Sequence, residues 1–404
     1  VKQNDIVVGL DVGTTKICAV VAEIINGDIE IRGVSMSPST GLRKGVVVNI
    51  DSTVESIKNA VEKAETFTGI NINAVRVGIS GNHIKGVDSY GAVGIRGKEV
   101  SYIDLERAID SAKAVYVPLD REIIHVIPTG YILDGQNGIK NPVGMTGVRL
   151  EAKVFIVTGS ATSIQNLIKC CERAGLKVTD IIFEPLASAE AILTEDEKEL
   201  GVAVVDIGGG TTDIILYKDG WLRHTSIIAV GGNHFTNDIA VGLRISVSEA
   251  ERLKKSFGSA VPIMVDESEE IDIIQTGQGR KILRRHLAEI IQPRADELLD
   301  LIKSELMSCS GYDIASTGVV LTGGGSLLKG IDILAETALG LPVRIGYPKD
   351  IKGCQDINNP MYATGAGLVL YGFETEINRG VYPDVFIGVF TRMKDWVRGI
   401  FKYK

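Results

Sequence analysis

Two short segments carry the most specific chemistry in this chain, and they share one design. Val8-Gly-Leu-Asp11-Val-Gly13-Thr14-Thr15-Lys16 and Val204-Val-Asp206-Ile-Gly208-Gly209-Gly210-Thr211-Thr212-Asp213 each run from an apolar strand into an aspartate. Small residues, paired threonines and a second strand follow. Glycine lets the backbone come close to phosphate oxygens, and threonine hydroxyls and backbone N–H groups donate to them. Asp11 and Asp206 suit the water shell of Mg²⁺, which prefers few carboxylates and several retained waters. A plain β-hairpin turn would explain either loop alone. Two copies in separate halves, each between apolar strands, favour phosphate binding. A Walker loop and a dinucleotide fingerprint are both absent from the sequence. Val319-Val-Leu-Thr-Gly323-Gly324-Gly325-Ser326 adds a strand running into a flexible loop. An adenine and ribose can lie against such bare backbone, although a strand-to-helix connection explains it equally well.

The elements that must position these loops can be read from periodicity. Ile6–Leu10, Ile17–Ala22, Ile29–Ser35 and Gly45–Asn49 read as strands of one sheet. Asp51-Ser-Thr caps a helix running to Thr68, and Ala74–Ser80 is a further strand. Ile84–Ser160 breaks this rhythm and reads as an inserted small α+β subdomain. It has a helix starting over Val100–Ser111 and strands at Glu122–Val126, Gly130–Leu133 and Arg149–Thr158. Ser163–Ala174 is a helix stopped by Gly175, Val178–Phe183 a strand and Pro185–Leu193 a helix. The charged stretch Thr194–Glu199 marks a boundary. Val202–Asp206 and Asp213–Tyr217 open the second half, and helices follow at Gly232–Gly242 and Val247–Phe257. Arg280–Met307 reads as one long helix kinked at Pro293. Met361–Tyr371 is a helix of small residues, and Glu374–Asp384 a polar linker.

The length of 404 residues implies two to four domains. A net charge of −8 argues against general nucleic-acid binding. Cys18, Cys170, Cys171, Cys309 and Cys354 form no C-x-x-C pair and read as reduced and mostly buried, which points to the cytosol. The polar opening Val1–Asp5 reads as the start of a chain without a signal peptide. No apolar run reaches the roughly 18 residues that cross a bilayer, so membrane contact is expected to be peripheral.

Together these segments resemble the actin/Hsp70/hexokinase superfamily. The resemblance implies an α/β, actin-like (ribonuclease H-like duplicated) two-lobe fold, with a small α+β insert in the first lobe. It implies ATP held by Asp11, Gly13, Thr14, Thr15 and Lys16 on one side and Asp206, Gly208, Gly209, Gly210, Thr211, Thr212 and Asp213 on the other. Gly323, Gly324, Gly325 and Ser326 would take the adenosine, with Gly232, Glu251 and Lys254 near ribose and base. Mg²⁺ would sit on Asp11 and Asp206 through water. Glu251 and Lys254 read equally well as a surface ion pair. Glu184-Pro-Leu-Ala-Ser-Ala-Glu-Ala and Tyr362-Ala-Thr-Gly-Ala-Gly match two crossing helices whose small residues permit close packing and hinge motion. Glu184 would position a water as the catalytic residue, or else serve as an acid favoured at a helix N-terminus.

The insert is more specific still. Asp120-Arg-Glu-Ile-Ile-His-Val-Ile-Pro128, Asp134-Gly-Gln-Asn-Gly-Ile139, Asn141-Pro-Val-Gly-Met-Thr-Gly147 and Arg149-Leu-Glu-Ala-Lys153 resemble the FtsA family of bacterial cell-division proteins. The resemblance runs from Val8 to the C-terminus. It implies first-lobe core over 1–83 and 163–196, the family insert over 84–162, and second-lobe core over 197–229 and 305–373. The second-lobe insert would span 230–304, the linker 374–385 and a terminal helix 386–404. It also implies ATP binding with at most weak turnover, head-to-tail filaments of the chain itself, recruitment of the FtsZ C-terminal tail, and contact with other division proteins. The FtsZ tail would dock on the second-lobe insert, where Arg280, Lys281, Arg284 and Arg285 cluster and Arg294 is a docking candidate. Arg149 and Glu151 read as a sheet-surface pair, and His125, among isoleucines and valine, as a packed histidine.

The C-terminal stretch carries a purely physical signal. At about 100° per residue, Phe386, Val389, Phe390, Met393, Trp396, Val397, Ile400 and Phe401 share one arc. Arg392, Lys394, Arg398 and Lys402 take the rest, opposed by Asp395 alone. A basic amphipathic helix on an acidic body suits adsorption to anionic lipid, and the family resemblance implies the cytoplasmic face of the inner membrane as its place. Gly388 and Gly399 weaken it as an isolated helix, so it is expected to form on binding. Packing on its own domain is the alternative. Two other functions share the nucleotide loops. A sugar kinase would need a base and a sugar pocket for which Glu184 is the sole candidate, and a PilM-type pilus-assembly protein would lack the terminal helix.

Overall fold

A computed structural model describes residues 6–371, apart from 116, 276–277, 310 and 350. The chain divides into two units: residues up to His83 with Ser163–Val369, and Ile84–Thr162 with the described residues from Leu370.

The first unit is a duplication. In its first half, β1 (Ile6–Val12), β2 (Lys16–Ile25) and β3 (Asp28–Pro38) form an antiparallel meander. A two-stranded hairpin, β4 (Leu42–Arg43) with β5 (Val46–Val47), leads to helix α1 (Ile50–Thr68) and strand β6 (Ala74–Ile79). After the second unit come α3 (Ala161–Arg173), β11 (Lys177–Phe183), α4 (Glu184–Ile192) and the short α5 (Glu195–Leu200). The second half repeats the pattern with β12 (Val202–Ile207), β13 (Thr212–Lys218) and β14 (Trp221–Ile228), then inserts α6 (Gly232–Leu243), α7 (Val247–Phe257), β15 (Glu270–Gln275), β16 (Gln278–Leu283) and α8 (Arg284–Ser308). It ends with α9 (Gly311–Ile314), β17 (Val319–Thr322), α10 (Ile331–Leu339), β18 (Val343–Ile345), β19 (Lys352–Gly353) and α11 (Ala363–Leu370).

Strand order exposes the repeat. The first sheet runs β11-β6-β1-β2-β3-β19 and the second β14-β13-β12-β17-β18. In each, a three-strand meander adds two parallel strands beside its first member. Helices cover the first sheet on both faces, which explains why every residue of Ile17–Ala22 in its interior strand β2 is buried. One cover is α1, whose Ile57, Ala60, Val61 and Ala64 pack on β2 and β3. The other is α11: a Cβ on Gly9 would lie 2.8 Å from the Gly365 carbonyl, and one on Gly365 2.8 Å from Val20.

In the second unit the sheet order is β7-β10-β8-β9, built from β7 (Lys85–Gly94), β8 (Arg121–Leu133), β9 (Gln136–Ile139) and β10 (Arg149–Ser160). Helix α2 (Tyr102–Lys113) closes on β7, where a Cβ at Gly91 would stand 2.2 Å from the Ala108 carbonyl. His125 is buried edge-on to Tyr371, and burial pulls its pKa down to about 4, so it is a neutral packing residue. Arg149 pairs with Glu151 at 3.2 Å.

Several sequence readings are corrected. Gly45–Asn49 does not continue the sheet: positive φ at Lys44 and Gly45 (50° and 76°) folds this stretch into the β4–β5 hairpin. Helix α1 is capped by Asn49, whose side chain accepts from the Ser52 N–H, so it starts before Asp51. Glu122–Val126 and Gly130–Leu133 belong to one strand, β8, interrupted by a register shift near Pro128. Arg280–Leu283 is not helical but pairs in β16 with β15, and α8 starts at Arg284 and passes through Pro293. The charged stretch after Ile192 closes as α5, through a reciprocal Thr194–Glu197 cap.

The tightest approach in the first unit is between α4 and α11, where a Cβ on Gly367 would fall 1.7 Å from the Ala187 carbonyl oxygen. Gly367→Ala is therefore expected to lower unfolding free energy by about 3 kcal/mol, as overpacking against backbone does. Gly94→Ala, which meets open space, stays within about 0.5 kcal/mol. Urea unfolding of the two variants checks the contrast.

Candidate nucleotide-binding site

The duplicated meanders bring their first turns together. Asp11 and Asp206 stand near the C-terminal ends of β1 and β12, and each turn leads back into an antiparallel partner. The second turn is closed by the Gly208 N–H donating to the Thr211 carbonyl at 2.9 Å. The two turns touch. A Cβ on Gly209 would lie 2.5 Å from Thr15 Oγ1, and one on Gly210 2.7 Å from Thr14 Oγ1. Only glycine admits this approach, so the first loop's paired threonines lie against the second loop's bare backbone.

Charge is concentrated here. Lys16 Nζ lies 3.1 Å from Asp11 Oδ2 and donates to the Met361 carbonyl at 2.6 Å. Burial disfavours this ammonium, but the neighbouring Asp11 outweighs it and holds the lysine pKa above its usual value. Asp206 Oδ2 accepts from Ser188 Oγ at 2.7 Å, and burial raises its pKa. Asp213, opposite Asp206 in the β12–β13 register, accepts from Ser80 Oγ at 2.7 Å through Oδ2, while its buried Oδ1 has no partner. Burial, and then the Asp206 charge, push the Asp213 pKa up to about 8. Glu184 opens α4 and lies over Gly78 of β6, and its pKa is well raised by burial and by Asp11, Asp213 and Asp206. Four carboxylates thus feel one another around a single lysine. A small recess beside Glu184 is lined by Ser80, His83, Ser163, Ile79 and Leu167, and by Leu42, Gly45 and Val47 of the β4–β5 hairpin. The Gly45 N–H of that hairpin donates to Thr14 Oγ1 at 3.2 Å.

The remaining sequence-predicted residues sort into two groups. Gly323, with φ of 79°, packs on Asp206: a Cβ there would lie 2.2 Å from Oδ1. Gly325 packs as closely on Ile207, whereas Gly324 faces open space. Gly232 starts α6, and its N–H donates to the Gly208 carbonyl at 2.9 Å, so this helix grows out of the second loop. Glu251 and Lys254 on α7 pair at 2.7 Å, and Lys254 also donates to the Gly232 carbonyl and to Thr236 Oγ1. They brace the first turn of α6 beside the loop. Other hydroxyls are committed to structure. Thr212 Oγ1 donates to the Val230 carbonyl and Ser326 Oγ to the Gly323 carbonyl.

Away from the loops, Arg294 is clamped by Asp238 through two bonds, 2.6 and 3.1 Å, and by Glu297. Arg284 pairs with Glu269, Arg285 with Glu267 and Lys281 with Glu270, and Arg280 donates to the Leu243 carbonyl. The basic cluster read from sequence is largely neutralised by its own chain. Phe386, Phe390, Arg392, Met393, Lys394, Trp396, Val397, Arg398, Ile400 and Phe401 lie outside the described residues. No described helix is long and apolar enough to cross a membrane.

Sequence reasoning missed Ser80, Ser188, Thr364 and the Met361 carbonyl. The signal for two of them was visible: a serine and a threonine stand among the alanines and glycines of the facing helices.

Comparison with known proteins fits this geometry. A family model described as "Cell division protein FtsA" matches residues 203–367, and "SHS2 domain inserted in FTSA" matches residues 81–158. The cell division protein FtsA of Pseudomonas aeruginosa is 44% identical, over 99% of this chain and 99% of its own. Among solved structures, the PilM-PilN type IV pilus biogenesis complex superposes with a TM-score of 0.67 at 17% identity, covering 91% of this chain and 98% of that one. MreB5 of Spiroplasma citri bound to ADP gives 0.57 at 18%, covering 93% and 98%. At such identities the structural neighbours establish the actin-like fold alone, whereas identity along the whole length, insert included, establishes kinship: the chain belongs to the FtsA family of cell-division proteins.

Proposed function

We propose that this cell-division protein binds ATP with Mg²⁺ between its two aspartate-led loops. We further propose that it assembles head to tail on the cytoplasmic face of the inner membrane and anchors FtsZ filaments there through the FtsZ C-terminal tail. The observation that carries the nucleotide reading is the contact of Thr14 and Thr15 with Gly210 and Gly209, in loops whose aspartates Asp11, Asp206 and Asp213 act together on Glu184. Thr14, Thr15 and the backbone N–H groups of Gly208–Thr211 would donate to phosphate oxygens, and Lys16 would neutralise them. The structural neighbour MreB5 is described as bound to ADP, which supports a nucleotide in this fold.

The donor set fits a magnesium ion. Acidic groups outnumber cations, and the buried Asp213 Oδ1 lacks a partner. Coordination through retained waters matches that arrangement. When bound, the ion screens the phosphate charge. Asp11 and Asp206 would orient its waters, and Glu184, at the first turn of α4, would hold a water for slow hydrolysis.

The membrane and filament parts of this reading rest on the FtsA family, and the membrane part also on the amphipathic Phe386–Lys404. Liposomes with anionic lipid should sediment the full chain, and removal of Phe386–Lys404 should leave it in the supernatant. Equal sedimentation of both forms would refute the anchor. For the nucleotide, Asp206→Ala is expected to weaken Mg·ATP binding at least about tenfold by calorimetry; unchanged affinity would refute the site. A third expectation concerns pH. Asp213 has a folded pKa raised to about 8 from an ordinary 3.8, so the unfolded chain releases this proton first. Its contribution to stability is therefore lost as pH rises from about 4 to about 8 and is constant above that. Asp213→Asn should flatten that slope in ligand-free thermal melts and raise the melting temperature at pH 8.

A further inference from the structure

We propose that Ser188 and Thr364 are positioning residues: they hold Asp206 for the nucleotide–metal complex and so tie occupancy of the site to the crossing of α4 and α11. This rests on the nucleotide reading above and adds residues and a coupling that it does not contain.

Three elements meet at one oxygen. Asp206 Oδ2, on β12, accepts from Ser188 Oγ of α4 at 2.7 Å and from Thr364 Oγ1 of α11 at 3.3 Å. The two hydroxyls are themselves 3.0 Å apart. Ser188 is fully buried and Thr364 nearly so, and Asp206 is half-buried. A serine or threonine inside a helix commonly turns its hydroxyl back to the carbonyl four residues earlier. Neither does so here; both reach across to the carboxylate. Packing does not require the hydroxyls either. Their neighbours on the same helices are Ala187, Ala189, Ala363 and Gly365, and the helices close to a distance that excludes any Cβ at Gly367. Alanine at 188 would satisfy that packing equally well.

Hydrogen bonds to an ionised group are roughly twice as strong as neutral ones and fix its orientation. With Oδ2 held by both helices and Oδ1 lying against Gly323, the Asp206 carboxylate has a single orientation. A hydrated cation that draws on this carboxylate changes the charge the two hydroxyls feel. The α4–α11 contact is then the first structure to respond, since it is the junction between the duplicated halves.

The test measures ATP affinity of the full chain by calorimetry, with and without Mg²⁺, alongside hydrogen exchange of α4 and α11. Ser188→Ala is expected to weaken Mg·ATP binding about tenfold, Thr364→Val about threefold because its bond is longer, and Mg²⁺-free ATP binding less than about twofold in either. Thr364→Ser should restore wild-type values. Mg·ATP should slow amide exchange in α4 and α11 of the wild type, and much less in Ser188→Ala. Should Ser188→Ala fail to fold, the nearly isosteric Thr364→Val decides. A wild type that binds Mg·ATP, with variants of equal affinity, equal Mg²⁺ dependence and equal protection, overturns the coupling alone. A wild type that does not bind Mg·ATP overturns the nucleotide reading and the coupling together.

Discussion

The interaction on which the rest of the molecule depends is the confinement of four carboxylates around one ammonium. Asp11, Glu184, Asp206 and Asp213 come from four different elements, and Lys16 from a fifth. Like charges at such range and burial oppose folding. The chain tolerates them because three of the four are held by side chains beside them in space: Asp11 by Lys16, Asp206 by Ser188 and Thr364, Asp213 by Ser80. Those bonds leave the buried Asp213 Oδ1 without a partner and Glu184 well raised.

Glycine is what makes the confinement geometrically possible. The second loop must pass within van der Waals contact of Thr14 and Thr15, and Gly323 must lie on Asp206. The same economy of volume recurs at the crossing of α4 and α11. These glycines are enforced by neighbours at 1.7–2.7 Å from a Cβ that is not there, rather than by backbone freedom alone. Gly323 needs both, with its positive φ.

Much of this was legible in the residues. The duplicated loop motif, apolar strands on either side and small-residue helices predict the paired sheets and the facing turns, and the structure has both. The insert's motifs led to the family, which whole-length identity established. Less legible was everything set by long-range pairing. Gly45–Asn49 reads as a sheet strand because Val46–Val48 is a short apolar run, whereas Val46 and Val47 pair in the hairpin with Leu42 and Arg43. The hairpin's isolation comes from the turn at Lys44 and Gly45, and from contact with the loop at Thr14. Arg280–Leu283 reads as helix by composition but pairs with Glu270–Ile273, and its cations meet acids on that hairpin that sequence spacing does not reveal.

Why the hydroxyls at positions 188 and 364 escaped notice has a physical answer. On a helix of alanines and glycines, a serine differs from its neighbours by one oxygen, and periodicity registers it as small. The oxygen matters only when the facing element is known, because a buried hydroxyl is stable only with a partner. Here that partner is a carboxylate of the phosphate loop. A fold built by duplication brings the end of each half's first strand to the shared junction, so the linking helices pass within hydrogen-bond reach of Asp206. The proximity of hinge and site then follows from the topology, and two hydroxyls suffice to join them.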